Sequence, residues 1–150
     1  MVAIDTDVLL LAFSYHRDPR QEANSRFLQI VTDRNPAVAI YSVMELLGQL
    51  SFNMSAERLG RWRMWLRDQY GLTVLHPDTA NRQAEEFFQH QIVDQPLIRM
   101  QEKRIPFLDA LILGLIEQVT EVDVFVTWNV RHFRAKTLLT VLTPNEYLSP

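Results

Sequence analysis

Five short runs of β-branched and apolar residues, separated by segments whose apolar residues recur at helical spacing, constrain this chain more than any other feature. The runs are Val2 to Ile4, Val38 to Tyr41, Thr73 to Leu75, Val122 to Thr127 and Leu138 to Leu142. Strands buried on both faces read this way. Between them, "RQEANSRFLQIV" sets Ala23, Phe27, Ile30 and Val31 on one stripe, and "ERLGRWRMWLRDQY" does the same with Leu59, Trp62, Leu66 and Tyr70. "DTANRQAEEFFQHQIV" continues the helical pattern toward Met100, with a break expected near Pro96, which has no amide donor. The order strand, helix, strand predicts an α/β fold in which helices cover both faces of a parallel sheet.

The chain of 150 residues fits one domain, 1–150, with no internal repeat, low-complexity tract or linker. A core of that size can bury roughly 70% of the unfolded surface. Val2 begins the first apolar run, which leaves no room for a secretory leader. The longest apolar stretch, "IPFLDALILGLI", is interrupted by Pro106 and Asp109 and falls short of the ~18 to 20 residues that span a bilayer. Cysteine is absent, which removes disulfide and thiolate chemistry. A soluble, cytoplasmic protein is the expectation. The net charge of −3 argues against a general basic clamp on nucleic acid but leaves room for a local one. All 15 basic residues except Lys103 and Lys136 are arginine, whose planar fork matches phosphate oxygens.

In open α/β sheets, ligands bind outside the carboxyl ends of the strands. "VAIDTDVLL" puts Asp5 at such an end. Asp5 is either a group facing that crevice or a helix N-cap, although Asp7 has the stronger claim to capping. Glu45, in "YSVMELLGQL", follows the second strand; with Ser42 it also fits a capping box, and both roles are open to it. Asp109 sits in "PFLDALILGLIEQV", where Leu108, Leu111, Ile112, Leu115, Ile116 and Val119 make a core face. A first-turn acid gains roughly 0.3 to 1 kcal/mol from the helix dipole. Beside so apolar a surface, a charge is costly unless paired or bound to a metal. In "VDVFVTWNVRHF", Asp123 opens the strand and lies about 15 Å from its carboxyl end. Asn129 is at the right end, either as a turn residue or as an amide oxygen able to contact a hard cation.

Together, "IDTDVLL", "SVMEL", "FLDALILGL" and "FVTWNVRHF" resemble the PIN-domain family, and within it the VapC-type toxin ribonucleases. The likeness spans essentially the whole chain, in the order and spacing of the four pieces. It implies a PIN-like three-layer α/β/α sandwich with a central parallel sheet of about five strands. It also implies Mg²⁺ or Mn²⁺ at the carboxyl edge for hydrolysis of RNA phosphodiester bonds. Asp5, Glu45 and Asp109 look like the first three acids of that family, and Asn129 stands where many members carry a fourth. Asp5 and Asp109 would be metal ligands, directly or through water. Thr127 resembles the hydroxyl residue of the last motif, and Thr6 the small polar residue beside the first acid; both are taken as substrate contacts. A cognate antitoxin protein and a homodimer are the implied partners.

Substrate grip requires cations. "RHFRAK" supplies Arg131, Arg134 and Lys136 directly after Asn129, with Arg131 and Arg134 the expected phosphate contacts. Arg58, Arg61 and Arg67 share one helical segment and read as a solvated face. Trp62 and Trp65 are expected in the core or a dimer interface. His132, near the site, is open to three readings, a proton carrier, an RNA contact or a partly buried hydrogen bonder; the last is the commoner, and it is not named catalytic. Two competing readings stand beside the ribonuclease. One is a catalytically weak PIN-like module that binds RNA or protein. The other is a haloacid-dehalogenase-type phosphatase with Asp5 as nucleophile, which lacks a later pair of acids at a strand end.

Overall fold

The computed structural model describes residues 1–80 and 83–149; Asn81 and Arg82, inside the helical stretch expected after Asp78, lie outside the described residues. Five strands, β1 (Val2–Ile4), β2 (Pro36–Ala39), β3 (Thr73–Leu75), β4 (Val124–Val126) and β5 (Thr140–Leu142), form one parallel sheet in the order β3-β2-β1-β4-β5. From β1 the chain builds outward through β2 to β3, then crosses back to lay β4 on the other side of β1. The strand order therefore reverses between β1 and β4, and a crevice opens outside their carboxyl ends.

Side-chain alternation along these short strands feeds two cores. Val2, Ile4, Val38 and Val126 point to one face, where they meet Val8 and Leu9 of α1 (Thr6–Ser14), Phe27 and Val31 of α2 (Gln21–Val31), and Val43 and Leu46 of α3 (Ile40–Leu50). Ala3, Ala37, Ala39, Phe125 and Val141 point to the other, against Ile112, Leu113 and Ile116 of α8 (Phe107–Ile116). This is the three-layer PIN-like α/β/α sandwich. Burial on both faces holds for β1, β2 and most of β4, while the edge strand β3 leaves Thr73 exposed.

Several boundaries differ from the sequence expectation. Ile40 and Tyr41, expected in the second strand, are the first two residues of α3, whose N-cap is Ala39. Ser42 is thus inside the helix, and the Ser42–Glu45 capping box does not form. The single helix expected over "ERLGRWRMWLRDQY" divides into α4 (Ala56–Gly60) and α5 (Trp62–Tyr70) at Arg61. Trp62 and Trp65 pack against the first core, Trp65 edge-on to Phe13. No break occurs at Pro96. Between α6 (Ala84–Phe88) and α7 (Gln95–Lys103), residues Gln89–Asp94 are wound as a π-helix, and this wider turn relieves the clash that proline imposes on the preceding carbonyls. Two short helices, α9 (Val130–Phe133) and α10 (Pro144–Leu148), follow β4 and β5.

Candidate functional site

Asp5 leaves β1 at the reversal of strand order. Its amide donates to the Val126 carbonyl at 3.0 Å, which extends the β1–β4 ladder by one bond and fixes where the side chain emerges. The carboxylate is buried, at 7% exposure. Oδ1 accepts from the Thr6 amide at 2.8 Å, making Asp5 the N-cap of α1, and Oδ2 accepts from Thr127 Oγ1 at 2.7 Å. Capping and facing the crevice, alternatives in the sequence, are combined in this one residue.

Asp7 is not the cap. It accepts from Thr127 Oγ1 at 3.1 Å, from the Trp128 amide at 3.0 Å and from the Asn129 amide at 3.1 Å. Its carboxylate staples the turn between β4 and α9 to the start of α1. The indole of Trp128 is held as well, its Nε1 donating at 2.8 Å to Asn24 Oδ1, while Asn24 Nδ2 donates to the Val8 carbonyl at 2.9 Å. Asn24 is wholly buried, and both ends of its amide are satisfied. The single hydroxyl proton of Thr127 can serve only one of its two neighbouring carboxylates at a time.

That geometry has an electrostatic consequence. Burial raises the pKa of Asp5 well above the ordinary carboxylate value, and the charges of Asp7 and Asp109 raise it further against the bonds from Thr127 and Thr6. Burial also raises Asp7, offset by the Trp128, Thr127 and Asn129 donors. Asp109, near the start of α8, is raised by burial in spite of the opposing charges of His132 and Lys136. The helix carries Asp109 there by the burial of Ala110, Leu111, Ile112, Leu113, Leu115 and Ile116. At roughly 1.5 to 3 kcal/mol for each large aliphatic side chain, that burial outweighs any dipole preference of the acid. Nε2 of His132 lies 2.8 Å from Asp109 Oδ2 without a well-directed hydrogen bond, an ion pair only when the imidazole is protonated.

The structure thus places Asp5 within reach of the charges of Asp7 and Asp109, with His132 against Asp109. Glu45, half-buried on α3, makes no hydrogen bond or ion pair among the described residues, and the acids acting on Asp5 are Asp7 and Asp109. Among the described residues, no three His, Cys, Asp or Glu side chains stand close enough together to hold a metal ion by themselves. Asn129 is exposed just past β4, and Arg131 is exposed two residues on. Three expected substrate contacts are committed elsewhere. Thr127 is fully buried between Asp5 and Asp7, and Thr6 is buried with its hydroxyl 3.4 Å from the Ser42 carbonyl. Arg134 donates to Glu146 at 2.8 Å and to the Val141 carbonyl, bracing the capping box of α10. Asp123 lies at the opposite strand end, 3.4 Å from the N-terminal amine.

Sequence reasoning gave Asp7 a different role and gave Asn24 and Trp128 none. The available signal for Asp7 was a second acid two residues after the first. Its partners lie some 120 positions away, so only the β1–β4 pairing reveals them.

No family model matches the sequence, and no curated protein matches it. Solved structures do resemble the fold. VapBC2 from Rickettsia felis bound to a DNA fragment from its promoter matches with a TM-score of 0.62 at 16% identity, over 95% of this chain and 98% of that one. FitAcB from Neisseria gonorrhoeae matches with a TM-score of 0.58 at 14% identity, over 96% and 98% of the two chains. FitAB bound to an IR36 DNA fragment gives 0.57 at 14% identity, over 96% and 95%. At these identities the likeness concerns the fold. No helix among the described residues is long and apolar enough to cross a membrane.

Proposed function

We propose that this chain is a divalent-metal-dependent endoribonuclease, the toxin of a VapBC-type pair, which works with a cognate antitoxin protein and as a homodimer. The observation that carries the reading is Asp5, buried at the reversal of strand order and held by the Thr6 and Thr127 donors, with the charge of Asp109 acting on it. The VapBC-type family that the sequence resembles shares its name with one of the structural neighbours, which supports the same reading.

The residues fit Mg²⁺ or Mn²⁺ of one kind. Carboxylate oxygens suit a hard cation, and Ser42 Oγ and His132 Nε2 are buried polar atoms without directed partners on this edge of the sheet. A closed cage of three or more protein ligands does not fit. A water-rich site on Asp5 and Asp109, completed by a phosphate oxygen, does, because Mg²⁺ keeps several waters and takes one or two carboxylates. Bound there, the cation would acidify a coordinated water and offset charge on the scissile phosphate.

The chain's own groups divide the remaining work. Thr127 and the Thr6 amide orient Asp5, while Asp7 keeps the β4–α9 turn in register so that Asn129 and Arg131 face the edge. Arg131 contacts the phosphate backbone. Glu45 and Asn129 supply polar contacts to water or substrate once RNA is seated. The test is cleavage of mixed RNAs with Mg²⁺ or Mn²⁺ by the wild type, with EDTA as control. Metal-dependent cleavage that Asp5→Asn loses supports the reading, and metal-independent or absent cleavage ends it.

The missing third ligand and the asparagine at 129 favour one second reading, a module that binds RNA without cutting it. Calorimetry with Mn²⁺ in the presence of RNA separates the two, since the module takes up no metal.

A further inference from the structure

Six arginine and lysine side chains are ion-paired within the fold: Arg20 with Asp18, Arg61 with Glu57, Arg67 with Asp68, Arg99 and Lys103 with Glu117, and Arg134 with Glu146. Three of the others lie on the chain segments that adjoin Asp109. Arg104, Arg131 and Lys136 form no ion pair with a carboxylate among the described residues at salt-bridge distance. Lys136 Nζ instead donates to the Arg104 carbonyl at 3.0 Å, tying the segment after α9 to the connection between α7 and α8. Its charge reaches Asp109. That connection also carries Phe107, the first residue of α8, 44% exposed and part of neither core.

Backbone strain marks the same place. Arg104 closes α7 with φ of 51°, a left-handed conformation that glycine adopts freely and an L side chain does not. An arginine there sacrifices stability for a side chain, and strained residues of this kind cluster at binding sites. The neighbouring Ile105 is buried and anchors the turn, so Arg104 and Phe107 are presented from a fixed base.

We infer that Arg104, Lys136 and Phe107 form a subsite for single-stranded RNA on the Asp109 side of the site, the two cations holding phosphates and the phenyl ring stacking on a base. The inference rests on the ribonucleolytic reading for its choice of nucleic acid. Proteins that track single strands combine these two elements, cations along the backbone and aromatic rings against the bases.

The experiment measures binding of a fluorescent single-stranded RNA of about 10 nucleotides, a length within the range one such groove accommodates. The parent protein carries Asp5→Asn to prevent cleavage. Adding Phe107→Ala weakens binding about fivefold or more. Adding Arg104→Gly weakens binding and lowers the salt slope by about 0.7, one phosphate contact's worth on a single strand. At the same time Arg104→Gly raises the melting temperature, because it relieves the left-handed residue. A purely structural arginine would give the higher melting temperature alone. Binding unchanged in both variants, or no binding by the parent, overturns the subsite. Metal-dependent cleavage by wild-type protein, measured separately, decides the ribonuclease reading, so the two can fail independently.

Discussion

The two acids of the site are held in opposite ways. Asp5 sits in a frame of directed donors: its backbone belongs to the β1–β4 ladder, one oxygen caps α1, and the other takes the Thr127 hydroxyl. Asp109 rides on a helix placed by apolar burial and lies against His132, off line, with Lys136 nearby. Directed donors fix the first acid, whereas fewer bonds hold the second. On the proposed reading, the second acid would be the one to adjust when a cation or phosphate binds.

The largest expected effect tests whether both halves are needed. Asp5→Asn and Asp109→Asn should each lower metal-dependent RNA cleavage by about 100-fold or more, since a lost ligand removes several kcal/mol of transition-state stabilisation. Circular dichroism should stay native, and full activity in either variant would remove that half. Next comes stability. Asp7→Ala leaves the half-buried Trp128 amide without its acceptor, at about 1 to 3 kcal/mol, while the exposed Asn129 amide keeps Thr127 Oγ1. Asp109→Ala removes an acid whose burial already disfavours its charge, and should be neutral or stabilising in urea titrations at neutral pH. Equal losses in the two would erase the contrast between the rigid and the adjustable half.

The pH dependence sharpens the same point. Asp5, Asp7 and Asp109 have raised folded pKa values, so between the unfolded value of 3.8 and those values the folded state binds more protons than the unfolded one. Metal-free stability should therefore rise as pH falls from neutral toward mildly acid, and Asp5→Asn should flatten the rise in thermal melts. Below that window the sign reverses. Asp18, lowered to about 2 by its bonds to Arg20, and Glu146, lowered by the Thr143 amide and Arg134, lose their contribution on protonation. The smallest effect is assigned to Glu45→Gln, which should change metal-free stability by no more than about 0.5 kcal/mol, because the side chain has no hydrogen-bond or ion-pair partner among the described residues.

The central strands, their parallel pairing and the position of Asp5 at the end of β1 are legible because apolar runs and helical spacing are local signals; the gathering of Glu45 with Asp5 and Asp109 is expected from the family resemblance, and among the described residues no such group of three forms. What escaped has nonlocal causes. Ile40 and Tyr41 have strand composition, but the helix begins at Ile40 and turns its Val43 and Leu46 into the first core. Pro96 suggested a break that the π-helical turn absorbs. Arg134 carried the right charge in the right stretch, yet Glu146, twelve residues later, claims it. Thr6 and Thr127 were placed at the correct end of the sheet, but their burial makes them supports for the acids. Asp7 and Asn24 are bound to a turn more than 100 residues away, and nothing in their immediate neighbours announces it.

Titration of Mn²⁺ by calorimetry into the metal-free protein holding a cleavage-resistant RNA tests the pairing of Asp5 and Asp109 most directly. The account predicts a binding heat in the wild type that both Asp5→Asn and Asp109→Asn lose, and that Asp123→Asn, at the far end of the sheet, retains. Equal binding in all four proteins would contradict it.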